Sequence, residues 1–341
     1  MAVVIGSSKN DKIVPGKLSQ DVVVESGDFS TGAEADDIVG GLGNDTIESG
    51  AAVDLVLGDL DGAQVSGDKA GSDKIKGQDE NDILVGDSAE LASDAKGGKD
   101  TINGNDGDDR IHGDALSTMT DATGGDDKLY GDKGNDILIG DAVIVDGGKG
   151  GKDTLDGGDG DDWLYGDAGT ASDVDKFDLG NLLGSAKGGD DTLKGRDGND
   201  FLFGDAIGYS DEAEGGKDKL FGDDGDDWLD GGRGKDDLNG GKGDDIFFIG
   251  LHSGKDTIKD FDKDKDLLDW SELFEASGKT TEEIFGNNDK LDSGDKHVKQ
   301  SGNGLKIDIG QLFELETSKD VDTLVLNKLS SISLDQVITT A

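Results

Sequence analysis

Aspartate is the residue with chemistry to offer in this sequence, and it recurs with a period of nine. With GGLGNDTIE (residues 40–48) as template, seventeen nine-residue units fit between residues 31 and 248, anchored on an Asp at the sixth position. The candidate ligands are Asp45, Asp73, Asp82, Asp100, Asp109, Asp127, Asp136, Asp153, Asp162, Asp191, Asp200, Asp218, Asp227, Asp236 and Asp245. Units with intact glycines, around Asp109, Asp162, Asp200, Asp227, Asp236 and Asp245, are the strongest. Asp36 and Asp54 are the weakest, because their turns have lost glycines. If like turns stack one strand spacing apart, about 4.8 Å, their carboxylates repel unless a cation lies between them. Calcium, which takes roughly six to eight oxygen ligands, fits best, with turn carbonyls completing the shell. Zinc wants nitrogen or sulfur, and magnesium prefers to keep its waters.

The elements that position these carboxylates follow from the other columns of the repeat. The eighth position is apolar in all seventeen units, and the fourth is glycine in fourteen, with Glu34, Ala52 and Glu80 as exceptions. Six residues with glycines at fixed offsets make a tight turn that visits positive φ. The next three form a short strand whose middle residue points inward. Two units make one coil of two strands and two turns. Coils stacked in parallel leave a narrow core ladder of Leu and Ile.

Composition sets the limits. Thirty-three basic and 78 acidic residues give a formal charge of −45, with 59 glycines, one proline and no cysteine. Collagen and disulfide scaffolds are excluded. No apolar run approaches the ~18 residues of a membrane helix. The negative field opposes nucleic-acid binding. With 32% apolar and 5% aromatic residues the core is thin. The chain is therefore expected to stay largely disordered until cations neutralise it, so that binding free energy becomes folding free energy.

Catalytic signatures are missing. His112, His252 and His297 are isolated, no H-E-x-x-H or G-x-S-x-G occurs, and cysteine chemistry is impossible. Gly278-Lys279-Thr280 resembles the end of a P-loop, but Leu273 stands where its first glycine belongs. No enzymatic activity is expected. His112 is expected to be solvated or to contact a loop.

The units resemble the RTX, or haemolysin-type, calcium-binding nonapeptide GGxGxDxUx over residues 31–248. Residues 255–273, KDTIKDFDKDKDLLDWSEL, resemble the segment that often closes such rolls. The resemblance implies an all-β fold, a parallel β-roll (right-handed β-solenoid) with calcium between adjacent turns. It implies export by a type I secretion exporter through an uncleaved C-terminal signal, and folding outside the cell. The apolar stretch Ala2 to Ile5 is too short for a cleaved leader, which agrees with that route. The expected organisation is an N-terminal cap (1–30), the roll (31–248), and a C-terminal cap with the type I signal (249–341). Val3–Ile5 and residues 22–24 are expected to cap the first coil, and Phe261, Trp270, Phe274 and Phe285 to form the core of the second cap. Asp260, Asp262, Asp264 and Asp266 are not an EF-hand, since Lys265 and Ser271 occupy its glycine and glutamate positions.

Every second unit from Leu57 to Phe203 is followed by an insert of 8 to 20 residues: 58–67, 86–94, 113–121, 140–147, 166–185 and 204–212. Each opens Gly-Asp, at Asp59, Asp87, Asp114, Asp141, Asp167 and Asp205. All six therefore leave from one edge. Strands before an insert carry apolar outward residues, such as Ile137 and Ile139, Trp163 and Tyr165, Phe201 and Phe203. The inserts carry Leu91, Val143, Ile144, Val145, Phe177, Leu179, Leu182, Leu183 and Ile207. A sheet apolar on both faces is normally covered, so the inserts are expected to fold back over this face. The rival expectation is an adhesive or self-associating surface. Roles in view are a cell-surface or extracellular matrix component, an adhesin, an accessory module of a secreted enzyme, or a glycan-binding solenoid using Trp163, Tyr165 and Trp228. Thr101, Thr154 and Thr192 are too sparse for ice binding.

Overall fold

The structure is a computed structural model. It describes residues 2–18, 20, 22–26, 34–59, 63–64, 69–169, 181–251, 253–286, 289–315 and 323–339. Phe177, Leu179 and His252 lie outside the described residues.

Alternate units feed two long sheets. Strands that precede an insert, such as Ile137–Ile139, Trp163–Tyr165 and Phe201–Phe203, pair in parallel within a 13-stranded sheet. Strands that follow one, such as Lys128–Lys133, Thr154–Asp159 and Thr192–Asp197, pair in parallel within a 14-stranded sheet. The roll strands of this second sheet, from Thr46–Ala51 to Asp237–Lys242, are six residues long rather than the expected three, because pairing resumes beyond a glycine, as in Asn105↔Asp132 and Asp106↔Lys133. The chain runs on into the turn without losing the ladder.

The eighth-position residues meet between these sheets. Ile75, Leu84, Ile102, Ile111, Leu129, Leu138, Leu155, Leu164, Leu193 and Leu202 are all 0% exposed and belong to one cluster. One inward side chain per strand is all that a coil this narrow can bury.

The inserts build a third sheet. Ala63–Gln64, Ser88–Leu91, Ala115–Thr120, Ile144–Asp146, Asn181–Leu183 and Gly208–Tyr209 form six parallel strands. Leu91, Met119, Val145 and Leu182, with alanines such as Ala115, Ala142, Ala168 and Ala206, form its buried interior. Alanine at these sites lets the insert run close to the roll.

The covering is partial. Ninth-position residues Val85, Ile139, Tyr165 and Phe203 are buried. Insert residue Gly169 runs so close that a Cβ there would lie 2.4 Å from the Tyr165 ring. Seventh-position residues Ile83, Phe201, Trp228 and Ile246 are half-buried, while Ile137 and Trp163 are buried, at 6% and 7% exposed. Trp163 stacks on Phe201 with centroids 4.2 Å apart, and Tyr165 on Phe203 at 4.9 Å. The inserts thus cover the ninth-position column fully and the seventh-position column in part.

His112 belongs to the covered column. Of its two expected placements, solvated or against a loop, the second holds: it is 0% exposed, against the insert that begins at Ala115. Burial lowers its pKa to about 3, with the charge of Arg110 adding to the shift and the backbone of Ala115, at the start of an insert, opposing it.

Both ends are closed by strands that do not repeat. Val3–Ile5 pairs in parallel with Asp37–Val39 and antiparallel with Val23–Ser26. At the other end Thr323–Leu326 adds in parallel to Lys255–Ile258, and Gly304–Asp308 and Val298–Ser301 turn antiparallel. Phe261, Trp270, Phe274 and Phe285 are buried there. The roll's open edges are thereby covered.

Candidate calcium sites

Each sixth-position aspartate lies at the join between turn and strand, where its side chain turns under the adjoining coil. The result is two hydrogen-bonded ladders. On the insert edge, the backbone N–H of Asp45 donates to Asp73 Oδ1 at 2.6 Å, Asp73 to Asp100 at 2.6 Å, Asp100 to Asp127 at 2.7 Å, Asp127 to Asp153 at 2.7 Å, Asp153 to Asp191 at 2.7 Å, Asp191 to Asp218 at 2.7 Å and Asp218 to Asp236 at 2.8 Å. On the tight-turn edge the same link joins Asp82 to Asp109, Asp109 to Asp136, Asp136 to Asp162, Asp162 to Asp200, Asp200 to Asp227 and Asp227 to Asp245, at 2.7 to 3.1 Å.

Oδ1 is therefore committed to the backbone, and Oδ2 is not. Oδ2 of every sequence candidate except Asp245 is buried without a hydrogen-bond partner. A buried oxygen left unpaired costs about 1–3 kcal/mol, and more when charged. Burial accordingly pushes the carboxyls up from the usual 3.8: Asp73, Asp82, Asp136 and Asp227 to about 8, Asp162 to about 9. Neighbouring ladder members add to the rise and the backbone N–H opposes it.

The glycines make room for these oxygens. A Cβ on Gly157 would lie 2.2 Å from Asp162 Oδ2, and one on Gly140 would lie 1.8 Å from the Gly166 carbonyl oxygen and 2.5 Å from Asp153 Oδ2. Carboxylate oxygens and glycine carbonyls from successive coils thus share the space between turns. Among the described residues no group of three His, Cys, Asp or Glu side chains is placed to hold a metal alone. Carbonyls must complete the shell, which is calcium's habit. The donors are all oxygen, the orphaned atoms are anionic, and the residues fit that ion.

The ladders extend beyond the expected candidates. Asp36 and Asp54 belong to the tight-turn ladder, Asp36 N–H donating to Asp54 Oδ1 at 2.7 Å and Asp54 N–H to Asp82 Oδ1 at 2.7 Å, despite their degraded turns. Asp11 heads the insert-edge ladder and Asp266 ends the other. Both terminal residues are satisfied internally: Asp11 Oδ2 accepts from Ser7, and Asp266 Oδ2 accepts from Asp262 N–H at 2.6 Å. These two residues lie outside the nonapeptide pattern, so no periodic signal marks them. Asp260 accepts from Gly240 and Gly241 N–H, continuing the stack rather than forming an EF-hand.

A second buried carboxylate column, the insert-opening aspartates, was not among the sequence candidates. Their Gly-Asp pairs, counted in the sequence as the start of the inserts, remain inside the roll. Gly58, Gly86, Gly113, Gly140, Gly166 and Gly204 face the sixth-position aspartates as first-position glycines do elsewhere. The insert departs after the second residue of the turn.

The family model for the RTX calcium-binding nonapeptide repeat matches residues 30–62, 68–89, 94–115, 121–142, 147–170, 185–206 and 212–247, more than half of the chain. No curated protein matches the sequence. With the repeats, the parallel roll and the all-oxygen donor ladders in agreement, the chain belongs to the RTX calcium-binding nonapeptide repeat family, as a calcium-binding β-roll protein.

Proposed function

We propose that the protein is a secreted, non-enzymatic β-roll that folds when calcium outside the cell fills its ladders, and that it serves as a structural or cell-surface component. The sixth-position aspartates, from Asp45 to Asp245, are the proposed ligands. The observation that carries this reading is the ladder itself: a file of buried carboxylates, each with one oxygen spoken for and one left over. Such a file is self-repelling without cations and self-cementing with them. A chain that needs calcium to fold stays extended where calcium is scarce, as passage through a type I exporter requires. The half-buried apolar residues Phe201, Trp228 and Ile246, adjacent in the sheet, support contact with a surface, a matrix or another copy. A calcium-dependent accessory role beside a secreted enzyme is the second reading.

The test is export and its calcium dependence. Expressed with a type I exporter, the chain should accumulate in the medium, protease-resistant in calcium and protease-sensitive in chelator. Retention inside the cell in a folded, protease-resistant form would overturn the proposal.

A further inference from the structure

The insert-opening aspartates form a column of their own. Asp59, Asp87, Asp114, Asp141, Asp167 and Asp205 are all 0% exposed. Their backbones stack coil on coil, Asp87 N–H to Asp114 O at 3.1 Å, Asp114 to Asp141 at 3.2 Å, Asp141 to Asp167 at 3.1 Å and Asp167 to Asp205 at 3.1 Å. Each side chain also ties the start of its insert to the end. It accepts from the fourth-position glycine where the chain re-enters the roll, as Asp141 Oδ1 does from Gly151 N–H at 2.9 Å and Asp167 Oδ1 from Gly189 N–H at 2.6 Å.

Carboxyls of successive coils converge in this column: the space beside Gly124 lies against oxygens of both Asp141 and Asp114, that beside Gly150 against Asp167 and Asp141, and that beside Gly188 against Asp205 and Asp167. An ionised carboxylate only accepts, so two in contact need a positive species between them. Asp59 Oδ1, Asp141 Oδ2 and Asp167 Oδ2 are buried with no hydrogen-bond partner. Glycine keeps the meeting point open. A Cβ on Gly124 would lie 1.9 Å from Asp141 Oδ1 and 2.5 Å from Asp114 Oδ2, and one on Gly150 would lie 1.9 Å from Asp167 Oδ1 and 2.5 Å from Asp141 Oδ2.

The column ends as the other ladders do. Asp205 Oδ2 accepts from Arg233 N–H at 2.9 Å and from the Tyr209 hydroxyl at 3.2 Å. Arg233 also donates to the Ser210 and Ala213 carbonyls at 2.9 and 2.7 Å, closing the insert layer. At this end the Asp205 carboxylate is satisfied by protein, whereas Asp59, Asp141 and Asp167 each keep a buried oxygen with no partner.

Charge density separates the two edges. Along the tight-turn edge a coil buries one carboxylate of this kind. Along the insert edge it buries two, since Asp100, Asp127, Asp153 and Asp191 face Asp87, Asp114, Asp141 and Asp167 and repel them. The insert edge therefore carries one more buried carboxylate per coil to be neutralised than the tight-turn edge.

We infer that the insert edge holds a second file of divalent, oxygen-seeking cations, shared between successive insert-opening aspartates and distinct from those at the sixth-position ladders. The inference rests on the calcium-binding reading of the roll. Its consequence is that the insert layer is locked by metal at its base.

The test is an ion count on the full chain. Calcium is the probe, and bound metal is measured by equilibrium dialysis and atomic emission at saturation. The variant D114N/D141N/D167N keeps the shape and the Oδ1 acceptors but removes three charges. It should remain folded by circular dichroism and bind fewer ions than the unaltered chain, by about two. A folded variant with an unchanged count overturns the inference, and points to protons between these carboxyls. No calcium bound by either chain would instead sink the family-level reading. Should the variant fail to fold, long-wavelength anomalous diffraction from calcium-grown crystals of the unaltered chain decides. Peaks between Asp114 and Asp141 support the second file, and peaks confined to the sixth-position ladders overturn it.

Discussion

The backbone N–H of Asp136 donates to Oδ1 of Asp162 at 2.8 Å, while Oδ2 of the same carboxyl is buried without a partner. One side chain thus splits its duties. One oxygen fixes the register between coils, and the other is the one proposed to meet a cation. A longer side chain at this position would displace both oxygens at once.

Removing that side chain therefore loses two things. Asp162→Ala leaves the Asp136 N–H without its acceptor, at about 1–3 kcal/mol, and removes a proposed calcium ligand. Asp162→Asn retains the acceptor and loses only the charge. Calorimetry should show weaker calcium binding in both and a lower melting temperature chiefly in the alanine variant. Unaltered calcium binding in both would remove Asp162 from the site.

Gly140→Ala tests how close the coils approach. Its Cβ would lie 1.8 Å from the Gly166 carbonyl oxygen, a backbone atom that cannot step aside. The coils must separate, at about 1–3 kcal/mol for overpacking, and the oxygens around Asp153 move apart. The urea midpoint in calcium should fall. A variant as stable as the parent would contradict the packing described.

Leu155→Ala tests the core ladder. Leu155 is 0% exposed between the two long sheets, and truncation of such a residue costs about 2–5 kcal/mol. Because each coil contacts only its neighbours, the loss should split the single unfolding transition into two. Calorimetric scans in saturating calcium would reveal it.

The pH response follows from burial. Without calcium, the folded-state carboxyls of Asp73, Asp82, Asp136 and Asp227 lie at about 8, against 3.8 unfolded. The folded state thus binds these protons more tightly. This contribution to stability is complete below pH 3.8 and disappears as the pH rises through about 8. His112 acts in the opposite sense, as its folded value of about 3 lies below the usual 6.5 and so favours unfolding in acid. One histidine does not outweigh the carboxyl ladders. Calcium-free protein should gain β structure by circular dichroism on acidification from pH 8 to about 5, and calcium affinity should weaken over the same range. Loss of structure on acidification would contradict the assignment of these protons.

The parts of this molecule that repeat are legible in its sequence, and the parts that interrupt the repeat are only partly so. The inward column from Ile38 to Phe247 and the two faces follow from a strict nine-residue period. The insert edge follows from every second unit being interrupted. The split role of each aspartate does not, because a motif records residue type and not which oxygen is occupied. The buried column from Asp59 to Asp205 was visible as a recurring Gly-Asp, yet inserts of unequal length hid its alignment with the turns. Arg233 closes the insert layer from a unit that has no insert, and nothing local to it announces that role.

The central claim is that calcium supplies the free energy that folds the roll. Circular dichroism of the chain freed of calcium at pH 8, followed by titration with calcium and separately with magnesium, tests it most directly. The expected result is a disordered spectrum that turns to β structure with calcium and not with magnesium. A chain already folded without calcium would contradict it, and would mean that the insert layer and the end caps make a self-sufficient core.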